Sequence, residues 1–598
     1  MSHIRYLSLL AALALPLLTN SAGAAPDASA PSSGSAPDDW TSWGYDQERT
    51  SWNRGETSLT TKNVSRLKLK WTSQLSTPPT DAVLSTLTAP VIVAGAATPQ
   101  GAKNLAIVLG ADDTIFALDV DNGKILWQKS FANSYTARRP ATWLCPNTAN
   151  DTPVIDKARG LAFFVTSDGR LRALSLADGA ERMAPTDFLE PFSRAWSLNL
   201  IDGVVYTTSG RGCGEVLNPA LALADAAREE AQRPNISPAA AGGSGAAAPA
   251  GAPPRPAGAA PAGGAGRPGF GPPVTPDPGA ISAMDVRDLA HPIPSYFITS
   301  TGRPSGAWGR GGVARTPTGI VTQTADGPYD PAAGMFGNSV LELAPKLAKL
   351  TDSFTAPNWK SISARDLDLG SGSLLVFPFQ GHTLAASEGK EGVMYLLDTA
   401  SLGGTDHATP YFKSTQLGND AGSSIEPGQG MWGAMATYQA PDGKRFIYQP
   451  MWGPPSASAP PFPHSNGPIP NGSIMAFEVV ANGASVSLAP AWTSPDMTVP
   501  DAPSVANGIV FATQTGEQTL QGQKLPPGSP RPTMAQSNAF RSTPVSHLIL
   551  YAFDAETGKQ LYSSKDMIKG WTHFSIPVVA LGKVFVVTHD AKVYAFGL

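Results

Sequence analysis

The side chains in this sequence with the clearest capacity for chemistry are acidic, and several sit in glycine-rich strings. Glu215 lies in SGRGCGEV, Asp326 in QTADGPYD, and Asp366 and Asp368 in SARDLDLG. Carboxylates offer oxygen to hard cations and can accept protons. Gly-Glu and Asp-Gly are also ordinary turn chemistry, so Glu215 and Asp326 read equally well as turn residues. The pair Asp366 and Asp368 points further toward a site. Beside these stand Lys390 in EGKEGVMYLLD, Trp308 in GAWGRGG and Trp432 in GMWGAM. Taken singly, a lysine is a solvated cation and a tryptophan a packing residue. Softer metal chemistry has no support, because the eight histidines are scattered without ligand spacing and there are only two cysteines. The chain has no Cys-x-x-Cys-His for covalent haem. Cys145 and Cys213 can form one disulfide in an oxidising compartment or remain buried thiols.

A repeat must position these residues. Residues 114–127 read TIFALDVDNGKILW: alternating apolar residues, a turn at Asp121-Asn122-Gly123, and a second run ending in Trp127. That is a β-hairpin, with Asn122-Gly123 supplying the positive φ its turn needs. The frame recurs as LRALSLADGAE from Leu171, ISAMDV from Ile281, SVLELAP from Ser339, VMYLLDTASLGG from Val393, SIMAFEVVANGASVSLAPAW from Ser473 and LYAFDAETGKQLY from Leu550. Several copies follow a strand such as LAIVLGADD, LAFFVTSDG or IVFATQTGE, so each unit supplies about four antiparallel strands, one propeller blade. The chain stops at VYAFGL, half a repeat, and LKLKWTSQL (67–75) is the missing half. Joined, they make an eighth blade, and closure abolishes the exposed edges of an open sheet. The expected fold class is all-β: an eight-bladed β-propeller of four-stranded antiparallel blades, closed by N- and C-terminal strands.

Composition agrees. Forty-three Lys+Arg against 47 Asp+Glu, with no basic run, gives no footprint for a polyanion, which argues against nucleic acid as a ligand. The first residues read as a secretory signal: His3 and Arg5, an apolar run over 7–18, and Ala22-Gly23-Ala24 as a cleavage site. That run is short for a membrane span and no second one follows, so an exported chain without a span in its mature form is expected. The organisation is then a signal peptide at 1–24, a flexible Ala/Ser/Pro leader at 25–38, and a single propeller domain over 39–598. An Ala/Gly/Pro insert interrupts it at about 216–278, with a short helix expected near 221–232. The insert has too few apolar side chains to offset its ordering entropy and reads as a disordered spacer.

The repeat form, apolar-x-Ala-apolar-Asp-x-x-x-Gly-Lys-x-x-Trp, resembles the repeat of the quinoprotein, or pyrroloquinoline quinone (PQQ)-dependent, alcohol dehydrogenases, which an outer-membrane assembly propeller also carries. The opening segment DWTSWGYDQERTSWNRGETSLTTKNVSRLKLKW (39–71) resembles that of the dehydrogenases in particular. The resemblance implies PQQ at the ring axis, stacked on a tryptophan, with its oxygens on Ca²⁺ or a lanthanide. Glu215, Asp326, Asp366 and Asp368 match the metal-binding positions, Asp366 the general base, Trp308 the floor beneath the quinone, and Lys390 and Trp432 further cofactor contacts. A nearby cation favours the ionised carboxylate that a base requires. The sequence departs from the family in lacking the adjacent Cys-Cys pair, in Asp326 standing where an Asn is usual, and in Arg365 preceding Asp366.

Two functions are compatible with these residues. One is an exported, periplasmic or secreted PQQ- and metal-dependent dehydrogenase acting on a small alcohol-type substrate, with a separate cytochrome-type electron acceptor. The other is a non-catalytic propeller that binds a protein partner in the cell envelope. The enzyme requires its carboxylates to converge on a central, tryptophan-floored cavity; the scaffold does not.

Overall fold

Alternating apolar strands joined by Gly-containing turns build one unit eight times around an axis. The computed structural model describes residues 39–598 except 138–139, 211–212, 215–278, 301–304, 426, 484, 524–525, 527–528 and 531. The expected signal peptide, leader, insert with its short helix, and Glu215 lie outside the described residues.

Blade 1 runs from its inner to its outer edge as Val91–Thr98, Gly101–Leu109, Thr114–Asp119 and Ile125–Ser130, each antiparallel to the last. Blades 2 to 7 begin with the short inner strands Val154–Asp156, Asn199–Ile201, Ala314–Arg315, Leu375–Phe379, Ala436–Gln439 and Ser504–Ala506. Blade 8 joins the two ends of the described chain: Val578–Ala580, Lys583–Thr588 and Lys592–Gly597, with Lys68–Gln74 as its outer strand. The closing register places Leu69 opposite Phe596 and Trp71 opposite Ala595. This is the split eighth blade that the half-repeats predict.

The repeat's Trp and Gly meet between blades. The indole Nε1–H of Trp71 (blade 8) donates to Val120 O (blade 1), that of Trp127 (blade 1) to Leu176 O (blade 2), and that of Trp492 (blade 6) to Ala555 O (blade 7), each at 2.9 Å. Beneath each indole lies the hairpin glycine of the receiving blade: Gly123, Gly179 and Gly558, all with φ near +70°. A Cβ on Gly179 would sit 2.7 Å from Trp127 Cε3. Gly179→Ala should therefore combine a backbone penalty with overpacking and cost roughly 2–4 kcal/mol. Gly160 also has φ +66° but open space around it, so Gly160→Ala should cost only about 1 kcal/mol. Urea unfolding of the two variants separates clash from φ.

The opening segment fills the inside of the ring. Backbone N–H groups of the inner strands donate to it in blade order: Ile92 to Trp40 O, Ile155 to Thr41 O, Arg315 to Gln47 O, Val376 to Glu48 O, Thr437 to Thr50 O and Val505 to Ser51 O. Blade 3 joins through Asn199 Nδ2, which donates to Gln47 O, and blade 8 through Asn53 Nδ2, which donates to Val579 O. Inner-edge donors that would otherwise face an empty channel are thereby satisfied.

Antiparallel order inside each blade sends two kinds of loop to the same face: the one between its second and third strands, and the one leading from its outer strand to the next blade. Every described residue singled out for chemistry falls on one of these. Asp326 follows Ile320–Gln323, and Lys390 follows His382–Glu388, both second strands. Trp308, Asp366 with Asp368, and Trp432 precede the inner strands of blades 4, 5 and 6.

Candidate active site

Asp366 follows the short helix Trp359–Ala364 and takes a left-handed conformation, φ 55°, which an Asp tolerates at modest cost. The chain then turns so that Leu367 N–H donates to Ile362 O and Asp368 points inward, fully buried. Asp326 N–H donates to Asp368 Oδ1 at 3.0 Å, and Lys390 N–H to Asp368 O at 3.1 Å. Two glycines permit this approach: a Cβ on Gly389 would lie 2.6 Å from Asp368 O, and one on Gly370 2.7 Å from Ala325 N. The Lys390 ammonium, 2 % exposed, donates to Asp368 Oδ2 at 2.8 Å and Asp366 Oδ2 at 3.4 Å. One carboxylate oxygen from each of Asp326, Asp366 and Asp368 lies within 4.8 Å of the others. Oxygens bound to one cation at 2.3–2.6 Å are separated by up to about 5 Å, so the three can share a hard ion.

Lys390 also faces rings. Its Nζ stands 4.5 Å from the centroid of Trp432 and 5.3 Å from that of Trp308. Trp432 stacks on Trp452 at 4.7 Å, with 5° between planes, and Trp308 packs edge-on to Trp432 at 6.0 Å. Trp196 and Phe574 complete a buried aromatic cluster around Trp308. Trp432 Nε1–H and Trp452 Nε1–H donate to Gln429 O and Pro500 O, which fixes both rings. Trp196, Trp308, Trp432, Phe574, Lys390 and Asp366 all line one cavity on this face of the ring.

The cavity rim is tied across blades. Cys145, between blades 1 and 2, is bonded to Cys213, on a blade 3 loop, and their neighbours Leu144 and Gly210 line the cavity. Helix Met534–Ser542 reaches from blade 7 to the same rim, where Trp143 N–H donates to Asn538 Oδ1 and Asn538 Nδ2 to Ala141 O. Its Arg541 is buried against Glu517, Nη2 to Oε2 at 3.0 Å, and Glu517 also accepts from His573 Nδ1 at 2.6 Å. Burial works to raise the Glu517 carboxyl, but its two partners outweigh it and hold it below the ordinary value. Burial pushes His573, a further cavity-lining residue, down to about 4. Below these loops the Arg310 guanidinium donates to Phe574 O, Asn150 O and Ser85 Oγ, linking loops of blades 8, 2 and 1. Glu388, at the end of the strand before Lys390, has neither carboxylate oxygen bonded among the described residues. Burial raises its carboxyl well above the ordinary value.

The structure thus brings together six of the seven residues singled out in the sequence, and the seventh, Glu215, lies outside the described residues. Sequence reasoning missed Trp196, Trp452, Phe574 and the group Glu517, Arg541 and His573. Their one signal was position, on the same two kinds of loop or, for Trp452, at the end of the strand Arg445–Trp452 that leads into one; one of these second-to-third strand loops carries a helix.

Residues 40–186 match the family model described as the glucose/ethanol/alcohol dehydrogenase β-propeller domain, of PQQ type. No curated protein matches the chain. Among solved structures, a quinohemoprotein alcohol dehydrogenase from Pseudomonas putida HK5 aligns at 14% identity over 94% of this chain and 80% of that one, with TM-score 0.55. The quinohemoprotein alcohol dehydrogenase of Comamonas testosteroni gives 13%, the same coverages and TM-score 0.53. A europium-containing methanol dehydrogenase gives 12% over 94% and 99%, with TM-score 0.52. At such identities the likeness is one of fold: the ring shares the propeller fold of the alcohol dehydrogenases, and residues 40–186 carry the match to the PQQ-type domain, in line with the resemblance read from the repeats.

Proposed function

We propose that this chain is an exported PQQ- and metal-dependent dehydrogenase, oxidising an alcohol-type substrate and passing the electrons to a separate cytochrome-type acceptor. The observation that carries this reading is the convergence of Asp326, Asp366 and Asp368 beside Lys390, with Asp366 and Lys390 on the wall of a cavity lined by Trp308 and Trp432. A scaffold has no use for that arrangement. The donor set fits the groups: three carboxylates against one ammonium suit a hard cation such as Ca²⁺ or a lanthanide, and indole faces suit a flat quinone. When bound, the quinone supplies the hydride acceptor and the cation polarises it.

The protein's own residues supply the rest. Asp326, Asp366 and Asp368 would hold the cation, with Glu215 as a fourth carboxylate. Trp308 would form the floor, and Trp432 and Lys390 would contact the cofactor. Asp366, half-buried and on the cavity wall, would accept the alcohol proton, whereas Asp368 is too enclosed to reach substrate. The Cys145–Cys213 bond fits an oxidising compartment and thus a periplasmic or secreted protein. No helix among the described residues is long and apolar enough to cross a membrane. Dye-linked oxidation of primary alcohols, after loading with PQQ and Ca²⁺ or La³⁺, tests the reading. Turnover that requires both additions supports it, and no turnover in a loaded protein across a panel of alcohols and polyols refutes it.

A further inference from the structure

His573 stands on the loop between Gln560–Ser563 of blade 7 and Val578–Ala580 of blade 8, in the wall of the same cavity as Asp366. Its Nδ1 is held 2.6 Å from Glu517 Oε2, and that carboxylate is anchored by Arg541. Arg541 is itself fixed, donating also to Gln518 O at 2.9 Å and Gln521 Oε1 at 3.3 Å. All three side chains are buried. An ionised carboxylate can only accept, so Nδ1 carries the proton. Burial keeps the ring neutral near pH 7, Arg541 and Arg194 act in the same direction, and Glu517 alone opposes them. Nε2 is then an acceptor, and among the described residues it makes no hydrogen bond and is not a sealed, unpartnered atom. Among the residues lining the cavity, Asp366 and His573 thus stand as acceptors on different walls.

A monohydric alcohol has one hydroxyl hydrogen and cannot satisfy both; a diol or polyol can. We propose that His573 is a specificity-determining residue whose Nε2 accepts a hydrogen bond from a second substrate hydroxyl, so that the site takes diols or polyols. This rests on the dehydrogenase reading for the reaction, in which Asp366 takes the proton of the hydroxyl that is oxidised. Glu517 and Arg541 are positioning residues that fix the tautomer and orientation of the ring. Carboxylates, having no hydrogen to donate at neutral pH, are disfavoured at Nε2.

Protein labelled with ¹⁵N-histidine and loaded with PQQ and Ca²⁺ tests this, with the His573 resonances assigned by their loss in His573→Gln. The expected spectrum shows Nδ1 protonated and Nε2 unprotonated, with Nε2 displaced by 1,2-propanediol and unmoved by 1-propanol. In turnover, His573→Gln should raise KM for the diol about tenfold, the scale of one lost buried hydrogen bond, while changing kcat and the 1-propanol KM less than about twofold. A protonated Nε2, or equal losses on both alcohols, overturns the proposal. Wild-type protein that takes up no quinone overturns the dehydrogenase reading instead. The unloaded protein then decides this one by the same resonance: displacement by the diol supports it, and an unmoved Nε2 sinks it.

Discussion

Asp366→Asn in the loaded protein should lower alcohol oxidation by about 10²–10⁴-fold, the range a positioned general base contributes, while quinone absorbance and metal stoichiometry stay near wild type. The substitution keeps shape and one oxygen donor and removes one negative charge together with the ability to accept a proton, while Lys390 keeps its closer partner Asp368. Asp326 and Asp368 keep their carboxylates, and the indole faces of Trp308 and Trp432 are untouched. Asp368→Asn is the informative contrast. That side chain is fully buried, accepting from Asp326 N–H and from Lys390, so its loss should weaken metal uptake first and turnover only as a consequence. Turnover rates and metal content measured on both variants separate the two roles. Full activity in Asp366→Asn would remove Asp366 as the base.

Lys390→Met should destabilise the metal-free protein by about 3–5 kcal/mol, since it strands the buried Asp368 carboxylate without its counter-charge. Methionine preserves much of the side-chain volume between Trp308 and Trp432, so most of the loss reports charge and not packing. Saturating La³⁺ should recover much of it, because a trivalent ion among three carboxylates replaces the missing ammonium. Thermal unfolding with and without La³⁺ reads both halves. An equal deficit in either condition would mean that the lysine serves packing alone and that no cation binds beside it.

Much of the ring was legible because its signals are local. Each hairpin announces itself by alternation and a turn glycine, and the two half-repeats at the ends pair as blade 8. The reason for the repeat's Trp and Gly was not legible, since Trp71 meets Gly123, and Trp127 meets Gly179, only once neighbouring blades stand side by side. The winding of residues 40–53 past the inner strands was invisible for the same reason: every partner lies in a different blade. In the site, Asp366, Asp368, Lys390 and the tryptophans could be found from resemblance, by their order along the chain. Glu517, Arg541 and His573 could not, because an ordinary Gly-Glu string, a helical arginine and a lone histidine become one hydrogen-bonded group only in space. The cysteines left disulfide and free thiol open, and a Cα separation of 5.2 Å settles that they pair.

The most direct test is titration of purified mature protein with PQQ, with and without Ca²⁺ or La³⁺, followed by quinone absorbance and thermal shift. Metal-dependent uptake near one quinone per chain, weakened by Asp368→Asn, is the expected result. No uptake with any metal would contradict it, leaving a propeller that keeps the repeat without the chemistry.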